Sequence, residues 1–185
     1  MKDVHADRQD VTENDICIGL PAQLGAHARV LVLGSMPGVV SLLQARYYAH
    51  PRNRFWPLMS RMCGVDASLP YAARLAALNA AGVGLWDVIG QCRRRGSLDS
   101  AIVRGSEVPN PIGALLATLP ALQLVACNGA AAHRAFQRFI IPALQDPPQV
   151  PVVALPSTSP ANAAASLDVL QQAWQPVAAA LGGRA

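Results

Sequence analysis

Short apolar runs recur along the chain and alternate with segments of helical spacing. Four of these runs are predicted strands: Arg29–Gly34, Gly82–Gly90, Leu122–Cys127 and Val150–Leu155. Each run is apolar at nearly every position, so both faces of each strand are expected to be covered. This pattern is typical of parallel strands inside an α/β protein and not of a sheet with one wet face.

The segments between the strands are rich in alanine and leucine. Predicted helices cover Arg54–Met62, Tyr71–Ala81, Pro111–Leu119, Ala130–Phe139 and Pro160–Leu181. The last helix has a start signal, because Ser159 is a good N-cap and Pro160 then takes the first helical position. Strands that alternate with helices predict an α/β fold with helices on both faces of a parallel sheet.

The N-terminal region is more polar than the rest of the chain. We expect residues 1–28 to be a partly ordered leader and residues 29–185 to be a single domain. The leader has no apolar core of an export signal, and no run of about 18 apolar residues indicates a membrane span. We therefore expect a cytoplasmic protein. With 52% hydrophobic and 14% charged residues, the composition argues against disorder.

The cysteines and the charge say less about function. The four cysteines form no C-x-x-C pair, so they are interpreted as reduced thiols in or near the core and not as a metal site. The net charge is +4, and only one of the fifteen basic residues is a lysine. Arginine suits phosphate because its planar group donates two hydrogen bonds at once, but this bias alone carries little weight.

The unusual residues follow the predicted strands. In open α/β sheets, ligands bind outside the carboxyl ends of the strands. The segments found there are GSMPG (Gly34–Gly38), WD (Trp86–Asp87), NG (Asn128–Gly129) and PSTSPAN (Pro156–Asn162). The stretch YYAHPRNRFW (Tyr47–Trp56) continues the first of them and concentrates aromatic rings, arginines and one amide. We expect these segments to form one site.

Each of these signals has a second interpretation. GSMPG is either a tight turn or a place where the backbone approaches a flat ligand and offers N–H groups. Asn53 precedes a helix, so it is either an N-cap or an amide that holds a water molecule. Tyr48 is either a core residue or a stacking platform. Two adjacent tyrosines point in different directions, so at least one of Tyr47 and Tyr48 is not expected to be buried. His50 is a weak catalytic signal and can serve only to hydrogen-bond its loop.

The remaining polar segments are equally ambiguous. Asp87 caps a turn or accepts hydrogen bonds from the edge of a base. The PSTS stretch is a cluster of N-caps or, at a helix N-terminus, a phosphate site. Arg93–Arg95 is predicted to be a surface loop that can touch phosphate. No G-x-S-x-G motif or metal-ligand set is present. The inventory suits a reaction with a good leaving group, in which the protein stabilises charge and places a water molecule.

Four stretches resemble the uracil-DNA glycosylase superfamily, most closely the DNA-deoxyinosine (hypoxanthine-DNA) glycosylases. They are Val30–Trp56, Gly82–Ile102, Asn128–His133 and Leu155–Ala163. The resemblance implies a three-layer α/β/α sandwich on a four-stranded parallel sheet. It also implies hydrolysis of the N-glycosidic bond of a deaminated base in DNA, with hypoxanthine as the expected base. No metal or organic cofactor is implied, and we expect a monomer associated with a bacterial-type nucleoid.

The resemblance also implies roles for individual residues. Asn53 is the expected catalytic residue. The expected base-binding residues are Gly34, Ser35, Met36, Pro37, Gly38, Tyr48 and Asp87, and the expected DNA-binding residues are Arg52, Ser157, Thr158, Ser159 and Asn162. Met36 stands where several branches carry Asp or Asn, and Leu155 replaces a histidine found in other branches. Two alternatives stay open: a glycosylase for uracil or mismatched bases, and a non-catalytic nucleic-acid-binding module.

Overall fold

The structure of the protein is a computed structural model that describes residues 16–182 of the 185-residue chain. The strands are β1 (Ile16–Ile18), β2 (Val30–Gly34), β3 (Val83–Asp87), β4 (Ile89–Arg93), β5 (Val108–Pro109), β6 (Leu124–Asn128) and β7 (Val152–Leu155). The α-helices are α1 (Val39–Gln44), α2 (Phe55–Cys63), α3 (Tyr71–Ala80), α4 (Ile112–Leu116), α5 (Ala130–Ala135), α6 (Leu167–Ala173) and α7 (Gln175–Ala180). A π-helical turn at Phe136–Ile140 prolongs α5, and short 3-10 turns lie at Asp99–Ala101 and Ile141–Ala143.

The central sheet has the order β3-β2-β6-β7, and every neighbouring pair is parallel. Val30 pairs with Val83 on one side and with Leu124 on the other, so the strand ends are nearly level. The carboxyl ends of all these strands therefore meet at one edge. The predicted four-stranded parallel sheet and three-layer α/β/α sandwich are confirmed for residues 16–182.

The two faces of the sheet pack into two cores. Val30 and Val32 point to a core that contains Phe55 and Trp174, formed with helices α2, α3, α6 and α7. Leu31 and Leu33 point to the opposite core, which contains Phe136 and other residues around α4 and α5. Because alternate residues of β2 enter different cores, every position of that strand needs an apolar side chain.

The predicted strand over Gly82–Gly90 is wrong as one element. It divides after Asp87, and β4 joins a second sheet of antiparallel pairs in the order β1-β4-β5. The N–H groups of Val88 and Ile89 donate to the carbonyls of Gly34 and Ser35, which turns the chain across the end of β2. The new sheet covers the second core beside α4.

Arg93–Arg95 is not simply a surface loop. Arg93 is the last residue of β4, and Arg94 is 2% exposed although Arg95 is exposed. Arg94 follows β4 directly, forms an isolated antiparallel bridge with Ile102 and donates from its guanidinium to the Pro37 carbonyl. Three consecutive arginines gave no sign of these contacts.

The prediction that Ser159 caps a helix beginning at Pro160 is also wrong. The helix begins at Leu167, where the Ser166 hydroxyl accepts the Val169 N–H at 3.2 Å. A break at Trp174 then separates α6 from α7, with proline in the first turn of α7. Helices α4 and α5 are shorter than predicted, the latter because it passes into the π-helical turn.

Part of the predicted leader is described. β1 pairs with β4, and Gln23 bridges Leu85. Residues 1–15 lie outside the described residues, so the boundary at residue 28 stays a prediction. No disulfide joins cysteines in the described part of the chain, where Cys92 and Cys127 are buried thiols. No helix in residues 16–182 is long and apolar enough to cross a membrane.

Candidate active site

A cavity of about 480 Å³ opens at the carboxyl edge of the central sheet. Gly34, Asp87 and Asn128 end β2, β3 and β6, and all three line it. The loop after β7 and the loop around Tyr48 complete the wall. The predicted convergence of the four strand-end segments on one site is confirmed.

The GSMPG loop presents its backbone to this cavity. The N–H groups of Ser35, Met36 and Gly38 have no hydrogen-bond acceptor among the described residues. The loop is held from outside: the Ser97 hydroxyl accepts the Val39 N–H at 2.9 Å, and the Ser35 hydroxyl donates to Asp99 Oδ1 at 2.6 Å. The loop is therefore anchored and still keeps donors for a ligand.

Asp87 lies at the base of the same loop and is 4% exposed. A Cβ at position 34 would overlap its Oδ1, so only glycine lets the carboxyl group lie there. Oδ2 has no hydrogen-bond partner within residues 16–182. Burial raises the pKa of Asp87 to about 7; nearby Asp99 adds to the rise, whereas the Tyr47 hydroxyl and Arg94 oppose it. Near neutral pH, this carboxyl is therefore neutral in a large fraction of molecules.

Asn53 is half-buried in the cavity wall. Its side-chain Oδ1 accepts the Phe55 N–H at 3.0 Å, and its own N–H donates to the His50 carbonyl at 2.8 Å. The prediction that Asn53 is the N-cap is wrong by one position, because α2 has Arg54 as its N-cap. Asn53 still pairs the first N–H of the helix, that of Phe55, from the position before the cap. This hydrogen bond leaves the amide oxygen able to accept a second one, because the oxygen has two lone pairs and the Phe55 N–H uses one. The proposed contact with water stays a prediction.

The two tyrosines point in different directions, as predicted. Tyr47 is 3% exposed, and its hydroxyl lies 3.2 Å from the carbonyls of Leu20 and Pro21. Tyr48 is half-buried at the cavity, and its ring stacks on Phe55 with centroids 3.8 Å apart. Its φ of 54° is uncommon for a residue other than glycine, so its position is imposed by the surrounding structure.

A ladder of rings continues from Tyr48 into the core. Phe55 meets the edge of Trp56 at 5.3 Å and of Trp174 at 6.4 Å between centroids. Burial raises the pKa of the Tyr48 hydroxyl. Tyr48 is therefore both a core ring and part of the cavity wall, and its use as a stacking platform for a base stays a prediction.

His50 serves its own loop. Its Nδ1 accepts the Arg52 N–H at 3.1 Å, which confirms the interpretation as a loop hydrogen bond. The Arg52 side chain is exposed beside it. Arg52 therefore remains accessible to a negatively charged ligand.

The loop after β7 uses its polar groups internally. Thr158 is fully buried, and its N–H and hydroxyl each bond the Asn128 amide at 2.9 Å. This burial contradicts the prediction that the Thr158 hydroxyl holds a phosphate. The Ser157 hydroxyl accepts the Ser159 N–H at 3.2 Å, and the Asn162 amide donates to the Ser157 carbonyl at 2.9 Å. These bonds give the loop a defined shape without a helix.

Comparison with known proteins decides the family. The sequence model described as the uracil DNA glycosylase superfamily matches residues 21–178, most of the chain. The chain belongs to this superfamily.

Individual members of the superfamily are also similar. A Methanosarcina barkeri protein named hypoxanthine DNA glycosylase is 39% identical over 60% of this chain and 70% of its own length. A protein of the same name from Methanosarcina acetivorans is 37% identical over the same shares. The solution NMR structure of a candidate uracil DNA glycosylase from Methanosarcina acetivorans superposes with a TM-score of 0.75 at 30% identity, covering 90% of this chain and 99% of that one.

Three residues of this superfamily member line the cavity although the sequence did not indicate them. Ser97, Leu98 and Asp99 form a wall of the cavity, although they lie well beyond the strand ends in sequence. The chain returns there because β4 carries it into the second sheet. The sequence interpretation gave these three residues no role, because no local pattern in GSLDS (Gly96–Ser100) indicates a cavity wall.

Arg54 was predicted only as the start of a helix. Its guanidinium donates to the carbonyls of Ser159 and Asn162, both at 2.7 Å, and to that of Ala165. Its N–H also donates to the Thr158 carbonyl at 3.1 Å. The residue clamps the loop after β7 and is not available to phosphate. Within residues 16–182, no cluster of three potential ligands could hold a metal ion.

Proposed function

We propose that the protein is a DNA glycosylase that hydrolyses the N-glycosidic bond of deoxyinosine, releasing hypoxanthine and leaving an abasic site. One observation carries the proposal. The chain is similar to two proteins named hypoxanthine DNA glycosylase. Its cavity brings together a stacked tyrosine, backbone N–H groups without acceptors in residues 16–182, and the Asp87 Oδ2 atom, which has no hydrogen-bond partner there.

The size and walls of the cavity suit a base taken out of the helix. A base inside a duplex is unreachable, so it must be extruded at a cost of a few kcal/mol. A cavity of about 480 Å³ is large enough for a purine. Stacking of the base on Tyr48 contributes about 1–3 kcal/mol toward this cost.

Asp87 can read the edge of hypoxanthine. That edge presents an acceptor at O6 and a donor at N1. A neutral carboxyl has one O–H donor and one carbonyl acceptor side by side, so it matches the edge with two hydrogen bonds. Oδ2 has no competing partner in the described chain. The buried carboxyl is therefore the specificity group of the proposed site.

Bond cleavage needs charge stabilisation more than a strong nucleophile. As the bond between C1′ and the base breaks, the sugar acquires oxocarbenium character and the base becomes negative. The free N–H groups of Ser35, Met36 and Gly38 stabilise that negative charge. Asn53 accepts a hydrogen bond from the attacking water through its remaining lone pair. An amide cannot remove a proton near neutral pH, so this catalytic role is orientation.

DNA outside the cavity is held by groups on its rim. Exposed Arg52 contacts a phosphate, where arginine can donate two bonds. Ser157 and Ser159 use their hydroxyl oxygens within the loop, but each O–H remains a donor for a phosphate, and Asn162 supports their loop. The proposal includes a monomer that works in the cytoplasm, on nucleoid DNA, without a metal or organic cofactor.

The test is base release from defined oligonucleotides. Purified protein is incubated with DNA that contains deoxyinosine, deoxyuridine or a mismatched normal base, in single and double strands, and abasic sites are then cleaved. We expect release from deoxyinosine and loss of release in Asn53→Ala. Release of uracil alone would show that uracil, and not hypoxanthine, is the base removed. Binding of all these oligonucleotides without release of any base would contradict the proposed glycosylase activity.

A further inference from the structure

Arg94 is a buried cation that forms no ion pair with the described residues. The residue is 2% exposed, yet its Nε and Nη1 have no hydrogen-bond acceptor within residues 16–182. No carboxylate of that range forms an ion pair with it. Buried charges are normally paired, because an unpaired one loses its hydration without compensation. The position of Arg94 therefore needs a reason beyond packing.

The guanidinium is joined to the cavity by one peptide group. Its Nη2 donates to the carbonyl of Pro37. The same peptide group carries the N–H of Gly38, which lines the cavity and has no acceptor among the described residues. A hydrogen bond to the carbonyl of a peptide polarises the group and makes its N–H a stronger donor. The charge of Arg94 thus acts on the cavity through the Pro37–Gly38 peptide.

The cavity itself lacks positive charge. Among the described residues that line it, two are carboxylic acids, Asp87 and Asp99, and none is arginine or lysine. His50 is the histidine of this lining, and its Nδ1 already accepts a hydrogen bond. A negatively charged leaving group would therefore meet an unfavourable field unless a cation behind the wall offsets it. Arg94 is buried behind that wall and interacts electrostatically with Asp87.

We propose that Arg94 is a positioning residue whose charge, relayed by the Pro37–Gly38 peptide, stabilises the anion of the departing base. This inference rests on the proposed function. In the step concerned, the bond between C1′ and N9 breaks and its electron pair goes to the base. Water then adds its oxygen to C1′, and the proton it loses neutralises the base. Arg94 neither gives nor takes a proton in this step.

The inference is tested with two leaving groups of equal size. One oligonucleotide carries hypoxanthine, and the other carries 8-azahypoxanthine, in which nitrogen replaces C8–H and makes the departing base a weaker base. We expect Arg94→Gln to lower single-turnover release of hypoxanthine by about 10- to 100-fold, at or below the loss of a direct anion-stabilising donor. Release of 8-azahypoxanthine should fall severalfold less, because its anion needs less stabilisation.

Two further variants separate this role from a structural one. Arg94→Lys keeps the charge and a donor for the Pro37 carbonyl, so it should restore most of the rate and the wild-type ratio between the two bases. Arg61→Gln removes an exposed arginine that pairs with Asp168, and it should change neither rate. Equal losses on both bases in Arg94→Gln, or a loss in Arg94→Lys as large as that in Arg94→Gln, would overturn the inference. If Arg94→Gln does not fold, the rate of Arg94→Lys decides: near-wild-type release of hypoxanthine supports the role of the charge, and a loss of about 10-fold or more in the folded variant overturns it.

A binding measurement is independent of turnover. Free 8-azahypoxanthine is an anion at mildly alkaline pH, and the wild-type protein should bind it more tightly there than Arg94→Gln does. Equal affinities would also overturn the inference. A wild-type protein that releases neither base but binds this anion in an Arg94-dependent way would contradict the proposed function and support the role of Arg94.

Discussion

Two loops face each other across the cavity and use their polar groups in opposite ways. The Gly34–Gly38 loop leaves three backbone N–H groups without acceptors in the described chain and is held by residues outside it. The 157–165 loop pairs most of its polar groups within the protein: serine hydroxyls accept backbone N–H groups, Asn128 bonds Thr158, and Arg54 donates to three carbonyls.

The difference indicates that the Gly34–Gly38 loop serves ligand binding and the reaction, and that the 157–165 loop mainly maintains the shape of the cavity. Unpaired polar groups in a wall are costly unless a ligand completes them, so the first loop and Asp87 are suited to the base. Groups that are paired within the protein hold the shape of their loop without a ligand. Substitutions near the first loop should therefore change the reaction, and substitutions in the second should change stability.

The largest effect is expected from Asp87→Asn. The pKa of this carboxyl rises from 3.8 to about 7 on folding, so the folded state binds its proton more tightly than the unfolded state does. The resulting stability is complete below about pH 4 and is lost as the pH rises through about 7, amounting to about 4 kcal/mol. Asparagine keeps a donor and an acceptor but does not titrate, so the variant should lose this dependence.

Denaturant unfolding at several pH values measures that difference. Base release adds a second readout, because the neutral carboxyl is the form that matches hypoxanthine: wild-type activity should fall above about pH 7, and Asp87→Asn should stay level. Parallel pH profiles in the two proteins would show that Asp87 does not read the base.

Asn53→Ala should lower base release by about 10²-fold, near the loss seen when one preorganised polar group is removed from an active site. The substitution also removes the hydrogen bond to the Phe55 N–H, so a matched variant is needed. Asn53→Ser keeps a side-chain oxygen that can accept the Phe55 N–H but is too short to reach the attacking water. Both variants should bind deoxyinosine DNA and release the base slowly. Full activity in Asn53→Ser would reduce the role of Asn53 to pairing the Phe55 N–H.

Arg54→Met should destabilise the protein by about 2 kcal/mol, because the carbonyls of Ser159, Asn162 and Ala165 lose a charged donor. Base release measured well below the unfolding temperature should fall much less than in Asn53→Ala. Thermal unfolding and single-turnover kinetics on the same sample make the comparison. A variant as stable as the wild type, but inactive, would place Arg54 in the chemistry.

Ser159→Ala should have the smallest effect, about 0.5 kcal/mol on the free energy of unfolding, since one neutral hydrogen bond to the Ala161 N–H is lost. DNA affinity should fall modestly, with an unchanged salt dependence, because the hydroxyl carries no charge. Arg52→Gln is the matched control. Because it removes a phosphate contact, the slope of log K for DNA binding against log salt concentration should become smaller by about one. A reduced slope in Ser159→Ala would contradict this assignment.

The fold and the place of the site were predictable because their signals are local. Continuous apolar runs marked β2, β6 and β7, and the rule for strand ends located the cavity. The partners of individual groups were not predictable, because they depend on contacts distant in sequence. Arg54 and the Ala165 carbonyl are 111 positions apart, and no local pattern shows that this contact replaces a helix start at Ser159. Arg94 was misinterpreted for the same reason, since its hydrogen-bond partners Pro37 and Cys17 are 57 and 77 positions away in the sequence.

The ring ladder that runs from Tyr48 through Phe55 to Trp56 and Trp174 gives the molecule a built-in optical signal. A captured purine that stacks on the outer ring lengthens this ladder and alters the surroundings of the two indoles. Tryptophan emission, followed in a stopped-flow instrument, then measures the rate at which the extruded base arrives, separately from the rate of glycosidic-bond cleavage. No fluorophore has to be attached to the protein or the oligonucleotide.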